Sequence, residues 1–184
     1  MPMEKSLAFL TAAAVLVAGC VSSGSGAMHR HTLYLDPPQD FVRHAGPAPS
    51  VRVDLPRYIE DQYLLQRSPD GSLQRLEGHV WAESPDEGFA RLLREHLAAR
   101  GGLSADRLQV RLTRFDAGKD AMFYALGDWQ LRTTGRVCAR GYLGFQSPLS
   151  GDTATALLHA MNEAVAYTAA QITPCEADAT HTGA

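Results

Sequence analysis

The residues of this sequence that could most readily do chemistry are its three cysteines, Cys20, Cys138 and Cys175. A thiol can carry a covalent modification, close a disulfide or bind a metal ion. A structural zinc site normally draws on closely spaced cysteine pairs of the C-x-x-C kind, and these three cysteines lie far apart in the sequence. We therefore expect no zinc site, which leaves modification and disulfide formation as the chemistry of the thiols.

Cys20 ends an N-terminal segment that is typical of an export signal. Lys5 precedes an uncharged apolar run over residues 7–18, which is shorter than the roughly 20 residues needed to span a bilayer. The run closes on small residues before the cysteine, and this ending resembles the lipobox cut by the bacterial lipoprotein signal peptidase. We predict a signal peptide over residues 1–19, acyl chains on Cys20, and a flexible tether over residues 20–32.

The acyl chains would decide where the chain resides. Each buried methylene contributes about 0.8 kcal/mol, so a cysteine with several chains is anchored almost permanently. Val21 follows Cys20 where an aspartate, by resemblance to enterobacterial sorting, would favour retention in the inner membrane. We predict a lipid anchor at the periplasmic face of the outer membrane.

The remaining cysteines, Cys138 and Cys175, form a candidate disulfide. Export would place both in an oxidising compartment, and a bridge across a loop of this length would stabilise the fold by roughly 4 kcal/mol. The alternative is two independent small buried side chains. Cys175 directly follows Pro174, which ends a predicted helix, and an apolar packing role would be unusual there. This position favours the disulfide.

Catalytic patterns are weak throughout the sequence. His29 and His31 could chelate a metal ion, but they fall in the predicted tether, without a carboxylate or cysteine close by. His96 and His159 fall on predicted helices, and a general base also needs an orienting partner and a nucleophile. The sequence contains neither the G-x-S-x-G elbow of hydrolases nor a G-x-x-x-x-G-K-[ST] phosphate loop. We expect a protein that is not an enzyme and binds no metal or cofactor.

Length and charge indicate one weakly acidic domain. Removing 19 residues from 184 leaves 165, enough for a single ordinary core, and the net charge is −3. No basic run argues for nucleic acid as a partner. We place the folded domain at residues 33–173 and a disordered tail at residues 174–184.

The elements that must position these residues follow from hydrophobic periodicity. Strands are predicted at residues 31–36 and at residues 51–55, where Pro56 ends the second one. Residues 63–67 and 73–76 flank a turn-forming segment and predict a hairpin. An antiparallel meander is predicted over residues 108–115, 122–131 and 137–145, with an interrupted alternation at Arg114 and a bulge at Gly127.

Two main helices are predicted. The first begins at Ser84, with Pro85 at the first helical position and Glu87 spaced as in a capping box, and it ends at Gly101. The second covers residues 152–172 and is stopped by Pro174. The first helix has one apolar face, made by Phe89, Leu92, Leu93 and Leu97.

A resemblance to a known family rests on the order of short segments along the chain. These are Tyr34-Leu35, the segment Val51 to Ile59 with Gln62, Trp81-Ala82-Glu83 before a helix, Phe115-Asp116, and Trp129. In this order, between a lipobox and a closing helix, they resemble the ABC-type transport auxiliary lipoprotein family, which includes the PqiC and YmbA lipoproteins. The resemblance covers about residues 33 to 173.

The resemblance implies a fold and a role. The implied fold is an α/β three-layer sandwich similar to the N-terminal domain of TolB, with a mixed sheet, the antiparallel meander and the two helices. The implied role is an accessory one, in a system with an ABC ATPase, a permease and an MCE-domain protein that moves lipids or other hydrophobic molecules. The partners would be the MCE-domain protein and, through Cys20, the membrane; homo-oligomerisation is left open.

Pro56, Arg57 and Tyr58 are the candidate partner-binding residues. Their alternative is structural, because a proline ends strands and a tyrosine fills cores while its hydroxyl stays wet. Trp81 is better explained as a core residue. An exposed sheet edge could also take up a strand of a partner.

Two other functions are compatible with the sequence. TolB-like folds also serve regulatory lipoproteins that activate envelope enzymes, and a fold alone does not determine function. A hydrolase would require a nucleophile in a pocket, with a base beside it.

Overall fold

The computed structural model describes residues 27–34, 48–59, 62–151 and 153–175. Cys20, the predicted signal peptide and most of the tail lie outside these residues. In chain order the elements are β1 (His29–His31), β2 (Ser50–Asp54), a 3₁₀ turn (Arg57–Ile59), β3 (Tyr63–Arg67), β4 (Leu73–Trp81), α1 (Pro85–Ala99), β5 (Arg107–Ala117), β6 (Met122–Thr133), β7 (Arg136–Pro148) and α2 (Thr153–Gln171).

The strands form two mixed sheets. The main sheet has the order β2-β5-β6-β7, with β2 parallel to β5 and the last three strands antiparallel. The small sheet has the order β1-β4-β3, with β1 parallel to β4 and β3 antiparallel to it. The predicted α/β class, the meander and the two helices are confirmed, and the structure differs in dividing the strands between two sheets.

This division begins where β2 ends. Pro56 cannot donate to a sheet ladder, and its carbonyl accepts the backbone N–H of Ile59 at 2.9 Å, which closes the 3₁₀ turn. The chain then leaves the main sheet and forms the β3–β4 hairpin, whose turn contains Gly71 at φ +90°. That backbone conformation suits glycine.

Residues 29–34 are held more firmly than the sequence predicts. His29–His31, assigned above to the flexible tether, pair in register with His79–Trp81 as β1. The tether assignment for these three residues is therefore wrong, because a neighbouring strand supplies backbone partners that local composition does not reveal. Next, Leu33 is buried, its carbonyl accepts a bond from Arg91 at 2.6 Å, and the N–H of Tyr34 donates to Asn162 at 3.1 Å.

The core lies between the helices and one face of the main sheet, called here the inner face. Alternate residues of β5, including Leu108 and Val110, point to this face, as predicted. A bulge between Leu112 and Arg114 shifts the alternation, so that Phe115 is also buried. Phe115 contacts Phe89 of α1 and Phe123 of β6 edge to face, at ring-centroid distances of 5.6 and 5.2 Å. The predicted apolar face of α1 is buried throughout.

The ends of α1 agree with the sequence only in part. Ser84 is the N-cap residue and Pro85 the first helical residue, but the Ser84 hydroxyl donates to Asp86 and makes no capping bond to the backbone. The predicted capping box with Glu87 is therefore wrong. At the other end, the N–H of Gly102 donates to the carbonyl of Leu97 at 2.9 Å, which completes the predicted stop.

Two glycines allow close approach within the meander. A Cβ on Gly127 would lie 2.0 Å from the carbonyl oxygen of Arg111, and one on Gly141 would lie 2.8 Å from the indole nitrogen of Trp129. The bulge predicted at Gly127 of β6 is therefore wrong, because the extra residue, Thr113, belongs to β5 and lies opposite Gly127. Among the described residues, no helix is both long enough and apolar enough to span a membrane.

Candidate functional site

The candidate partner-binding residues divide into an exposed and a buried part. Arg57 is exposed, whereas Pro56 and Tyr58 are half-buried. The Tyr58 hydroxyl oxygen accepts the backbone N–H of Phe115 at 3.2 Å. Burial raises the pKa of Tyr58, and this bond offsets the effect only in part. Of the three residues, Arg57 is therefore the one that a partner could reach, and Tyr58 has the structural role.

Arg57 opens onto a groove beside β2, which is an edge strand of the main sheet. This β2 groove has a volume of about 490 Å³, within the range of roughly 300 to 1,000 Å³ that is usual for ligand pockets. The end of β2, the 3₁₀ turn, the start of α1 and the middle of β5 form its walls. Its lining residues are Arg52, Val53, Asp54, Leu55, Arg57, Ile59, Ser84, Pro85, Asp86, Arg111 and Leu112.

The β2 groove contains both positively and negatively charged side chains, and its carboxylates already accept hydrogen bonds. Arg52 Nε and Gln109 Nε2 donate to Asp54, at 2.9 and 2.8 Å. Burial works to raise the pKa of Asp54, but these two bonds, with the charges of Arg52 and Arg111, outweigh it and hold the pKa below its usual value. Asp86 accepts the Ser84 hydroxyl. The groove therefore offers arginines, rather than free carboxylates, to a partner.

Behind Tyr58 lies a buried ion cluster, called here the Asp116 cluster, which consists of Arg67, Arg114 and Asp116. The Asp116 side chain has an exposed fraction of 0% and forms ion pairs with both arginines, with Arg114 Nε at 2.8 Å. Arg67 also donates to the carbonyl of Gly71 at 2.7 Å, while its buried Nε has no partner. Its bond to Asp116 raises the pKa of Arg67. Since Arg67 belongs to β3 and Asp116 to β5, the cluster joins the two sheets.

The sequence signals this cluster only in part. Arg114 and Asp116 are two residues apart, and residues two apart share one face of a strand. That spacing could have indicated an ion pair. Nothing local connects Arg67 to them, because that contact depends on how the small sheet sits beside the main sheet.

The two cysteines predicted to pair are adjacent in the structure. The Cα atoms of Cys138 and Cys175 are 5.3 Å apart, within the roughly 4.4 to 6.8 Å typical of disulfides. Cys138 lies near the start of β7, and Cys175 follows α2. The hydroxyl of Thr133, at the end of β6, lies 3.5 Å from the first sulfur and 3.7 Å from the second.

Three histidines come together on the small sheet. The ring centroids of His29 and His31 lie 5.2 and 5.1 Å from that of His79, and His31 Nε2 lies 2.8 Å from His79 Nδ1 in a hydrogen bond. A bond between two imidazole nitrogens uses the lone pair of one of them, so that pair is not free for a metal. Across the described ranges, no group of three or more His, Cys, Asp or Glu side chains is arranged to hold a metal ion.

A serine, a glutamate and a histidine also meet beside α2. The Ser147 hydroxyl donates to Glu163 at 2.9 Å, and His159 Nε2 lies 3.4 Å from the other carboxylate oxygen. In a hydrolytic triad the histidine stands between serine and carboxylate, where it can take the serine proton. Here the carboxylate stands in the middle, and His159 is exposed. The order of the three groups does not activate the serine.

Comparisons with known proteins agree with this architecture. A family model described as "ABC-type transport auxiliary lipoprotein component" matches residues 35–173. A solved structure of an uncharacterized protein aligns with a TM-score of 0.63 at 16% identity, covering 78% of this chain and 95% of the other. A DUF330 protein from Xanthomonas campestris aligns with a TM-score of 0.55 at 18% identity, over 78% and 90%. No curated protein sequence matches the chain.

Proposed function

Because this chain belongs to the family of ABC-type transport auxiliary lipoprotein components, we propose that it is a non-catalytic accessory component of a transport system in the cell envelope. In this proposal the system contains an MCE-domain protein and moves lipids or other hydrophobic molecules between the two membranes. The chain itself would be held by acyl chains on Cys20 at the periplasmic face of the outer membrane. ATP hydrolysis would take place in another component.

The extent of the family match carries the proposal. The matched residues, 35–173, run from before β2 to the end of α2, so they include the β2 groove and the Asp116 cluster. The match therefore concerns the folded domain from residue 35 onward, rather than the export signal that unrelated lipoproteins share.

The fold supports a positioning role for the anchor. The chain between Cys20 and β1 is short, and its eight residues up to Met28 span at most about 28 Å when fully extended. At β1 the chain joins the small sheet, and Leu33 then enters the core. A lipid on Cys20 would thus hold the domain close to the membrane surface, where it could receive a partner that crosses the periplasm.

Photo-crosslinking in cells tests the proposal. A photoreactive amino acid at position 57 places the probe at the mouth of the β2 groove, and the same residue at position 171, exposed at the end of α2, serves as the control. We expect capture of an MCE-domain protein from position 57. Recovery of peptidoglycan enzymes alone would favour the regulatory lipoprotein, and capture of no transport component from any position would contradict the proposal.

A further inference from the structure

The face of the main sheet opposite the helices is called here the outer face. It is joined to the small sheet at the buried Asp116 cluster, and it is open along the two rows of residues that begin at Arg52 and Asp54. Strand pairing aligns its residues in rows across the sheet. Arg52 pairs with Gln109, which pairs with Gln130 and then with Arg140. The next row runs from Asp54 through Arg111 and Asp128 to Tyr142. Both rows consist of polar side chains, as expected for a face that is not packed on a core.

The outer face is rich in arginine, although the chain as a whole is acidic. The three aspartates on it are Asp54, Asp116 and Asp128, so its net charge is about +3, whereas the chain has a net charge of −3. Two of these aspartates, Asp54 and Asp116, are already bonded to arginines. The face carries six arginines, namely Arg52, Arg107, Arg111, Arg114, Arg132 and Arg140.

Three of these arginines have free donors. Within the residues that the structure describes, the side chains of Arg107, Arg111 and Arg140 make no hydrogen bond and no ion pair shorter than 4.0 Å, and all three are exposed. An arginine presents five N–H donors in a rigid fork that suits carboxylates. The face therefore holds unused capacity to bind anionic groups.

The exposed aromatic ring of Tyr142 and the exposed apolar side chain of Leu126 lie among these arginines. Tyr142 has an exposed fraction of 91% and Leu126 one of 37%. Leu126 pairs with Gly144, two residues beyond Tyr142 on the same face, and a Cβ added to Gly144 would meet nothing within 4 Å. Tyrosine and arginine are the residue types enriched at protein interfaces and at their energetic hot spots.

We propose that the outer face is the docking surface for an acidic protein surface, with Arg111 and Arg140 as its charged contacts and Tyr142 as its aromatic anchor. The inference rests on the proposed function, because the partner is taken to be the periplasmic protein of the same transport system. The outer face is also continuous with the β2 groove, since Arg111 belongs to both.

The composition of the face favours a protein over a membrane surface. A surface that binds anionic lipid usually carries clustered Lys and Arg residues without acids between them, with apolar side chains that insert between the headgroups. On the outer face the basic residues are interrupted by acids, because Asp54 and Asp128 alternate with Arg111 in one row. Alternating charges can align one protein surface with the complementary charges of another. A fluid lipid layer has no such fixed pattern of charges.

Crosslinking with charge reversal tests this surface in the full-length lipoprotein in cells. A photoreactive residue at position 142 should capture the MCE-domain protein through a segment with net negative charge. The double substitution Arg111→Glu and Arg140→Glu should reduce that product by about tenfold or more, the lower end of what electrostatic steering contributes. Arg94→Glu, an exposed change on α1, should leave the yield unchanged. Because Tyr142, Arg111 and Arg140 are exposed, these variants should fold, and circular dichroism checks that they do.

Several outcomes would contradict the proposal that the outer face is the docking surface. Capture of the MCE-domain protein from position 57 or 171, but not from position 142, would reject the outer face while leaving the proposed function standing. Capture of phospholipid or of a second copy of this chain from position 142 would assign the face to another occupant. Arg94→Glu changes the net charge half as much as the double substitution, so a loss of about threefold or more in Arg94→Glu would show that the charge reversal acts through net charge alone.

Discussion

The Asp116 cluster shows how single residues hold this fold together. A carboxylate with an exposed fraction of 0% is costly to bury without partners, and here two arginines from different strands provide them. One of these arginines, Arg67, comes from the small sheet. Asp116, the only buried acid among the described residues, therefore holds the two sheets together through its ion pair with Arg67.

Removal of the Asp116 carboxylate is the first prediction at this scale. Asp116→Ala should lower the free energy of unfolding by about 3 kcal/mol, because it leaves two partly buried guanidinium groups without their anion. Urea unfolding of a soluble chain that begins after Cys20 measures the loss. Asp128→Asn, a change on the same sheet with no side-chain bond to break, should cost less than about 0.5 kcal/mol. Equal losses of unfolding free energy in the two variants would show that the Asp116 cluster contributes no more to stability than Asp128, another acid of the same sheet.

The histidines of the small sheet should make the stability of the fold depend on pH. Burial lowers the pKa of His31, and the nearby His79 and His29 lower it further. The unfolded chain, with a histidine pKa of about 6.5, then binds more protons than the folded chain as the pH falls through that value. The melting temperature should therefore decrease as the pH is lowered from about 7.5 to about 5.

His31→Gln provides the check on that assignment. It removes the group with the lowered pKa, so the decrease in melting temperature over the same pH interval should become smaller. Arg94→Gln, at an exposed position of α1, changes a side chain that does not titrate in this interval, so it should keep the decrease of the parent chain. Burial also lowers the pKa of His96, so part of the decrease should remain in both variants. An unchanged decrease in His31→Gln would reject the histidine group as its source.

At the scale of elements, the disulfide is the feature with the most direct test. A bond between Cys138 and Cys175 closes a loop with a sequence separation of 37, which corresponds to about 4 kcal/mol in the chain-entropy model. We expect Cys138→Ser to lose roughly that much stability, and reductant to destabilise the parent chain but not the variant. Mass spectrometry of peptides from the exported protein, without reduction, detects the bond itself. Free thiols in that protein would contradict the prediction.

How far the elements could be predicted depends on where their partners lie. The strands of the meander and both helices follow from alternation and helical periodicity, because each buries one face against a single core. β1 could not be assigned this way, since His29–His31 is a strand only through its pairing with β4. The Ser84 capping box failed for a related reason, as Asp86 competes for the same hydroxyl.

The candidate site was predictable to a similar extent. Pro56, Arg57 and Tyr58 were identified as a group, and the structure separates them into one exposed and two half-buried residues. The outer face could not be assembled from the sequence, because its rows depend on the register of four strands, two of which are joined across 52 intervening residues between Asp54 and Arg107.

At the scale of the whole molecule, the anchor and the domain should be separable. Cys20→Ser prevents acylation, and none of the contacts given above for the described residues involves residue 20. We expect the variant to yield a folded domain with an unchanged melting temperature and to fail to support transport in cells. Loss of transport together with loss of fold would point to misfolding instead, and full transport by the unacylated chain would contradict the positioning role.

The pairing of β1 with β4 has a mechanical consequence. Any pull on the chain from the side of Cys20 enters the domain at β1, where the backbone bonds to β4 lie across the strand and are loaded together in shear. If they yield, the load next reaches Leu33, which is buried and bonded to Arg91 of α1, and then Tyr34, which is bonded to Asn162 of α2. Force from a moving membrane would thus be carried first by the small sheet and the two helices.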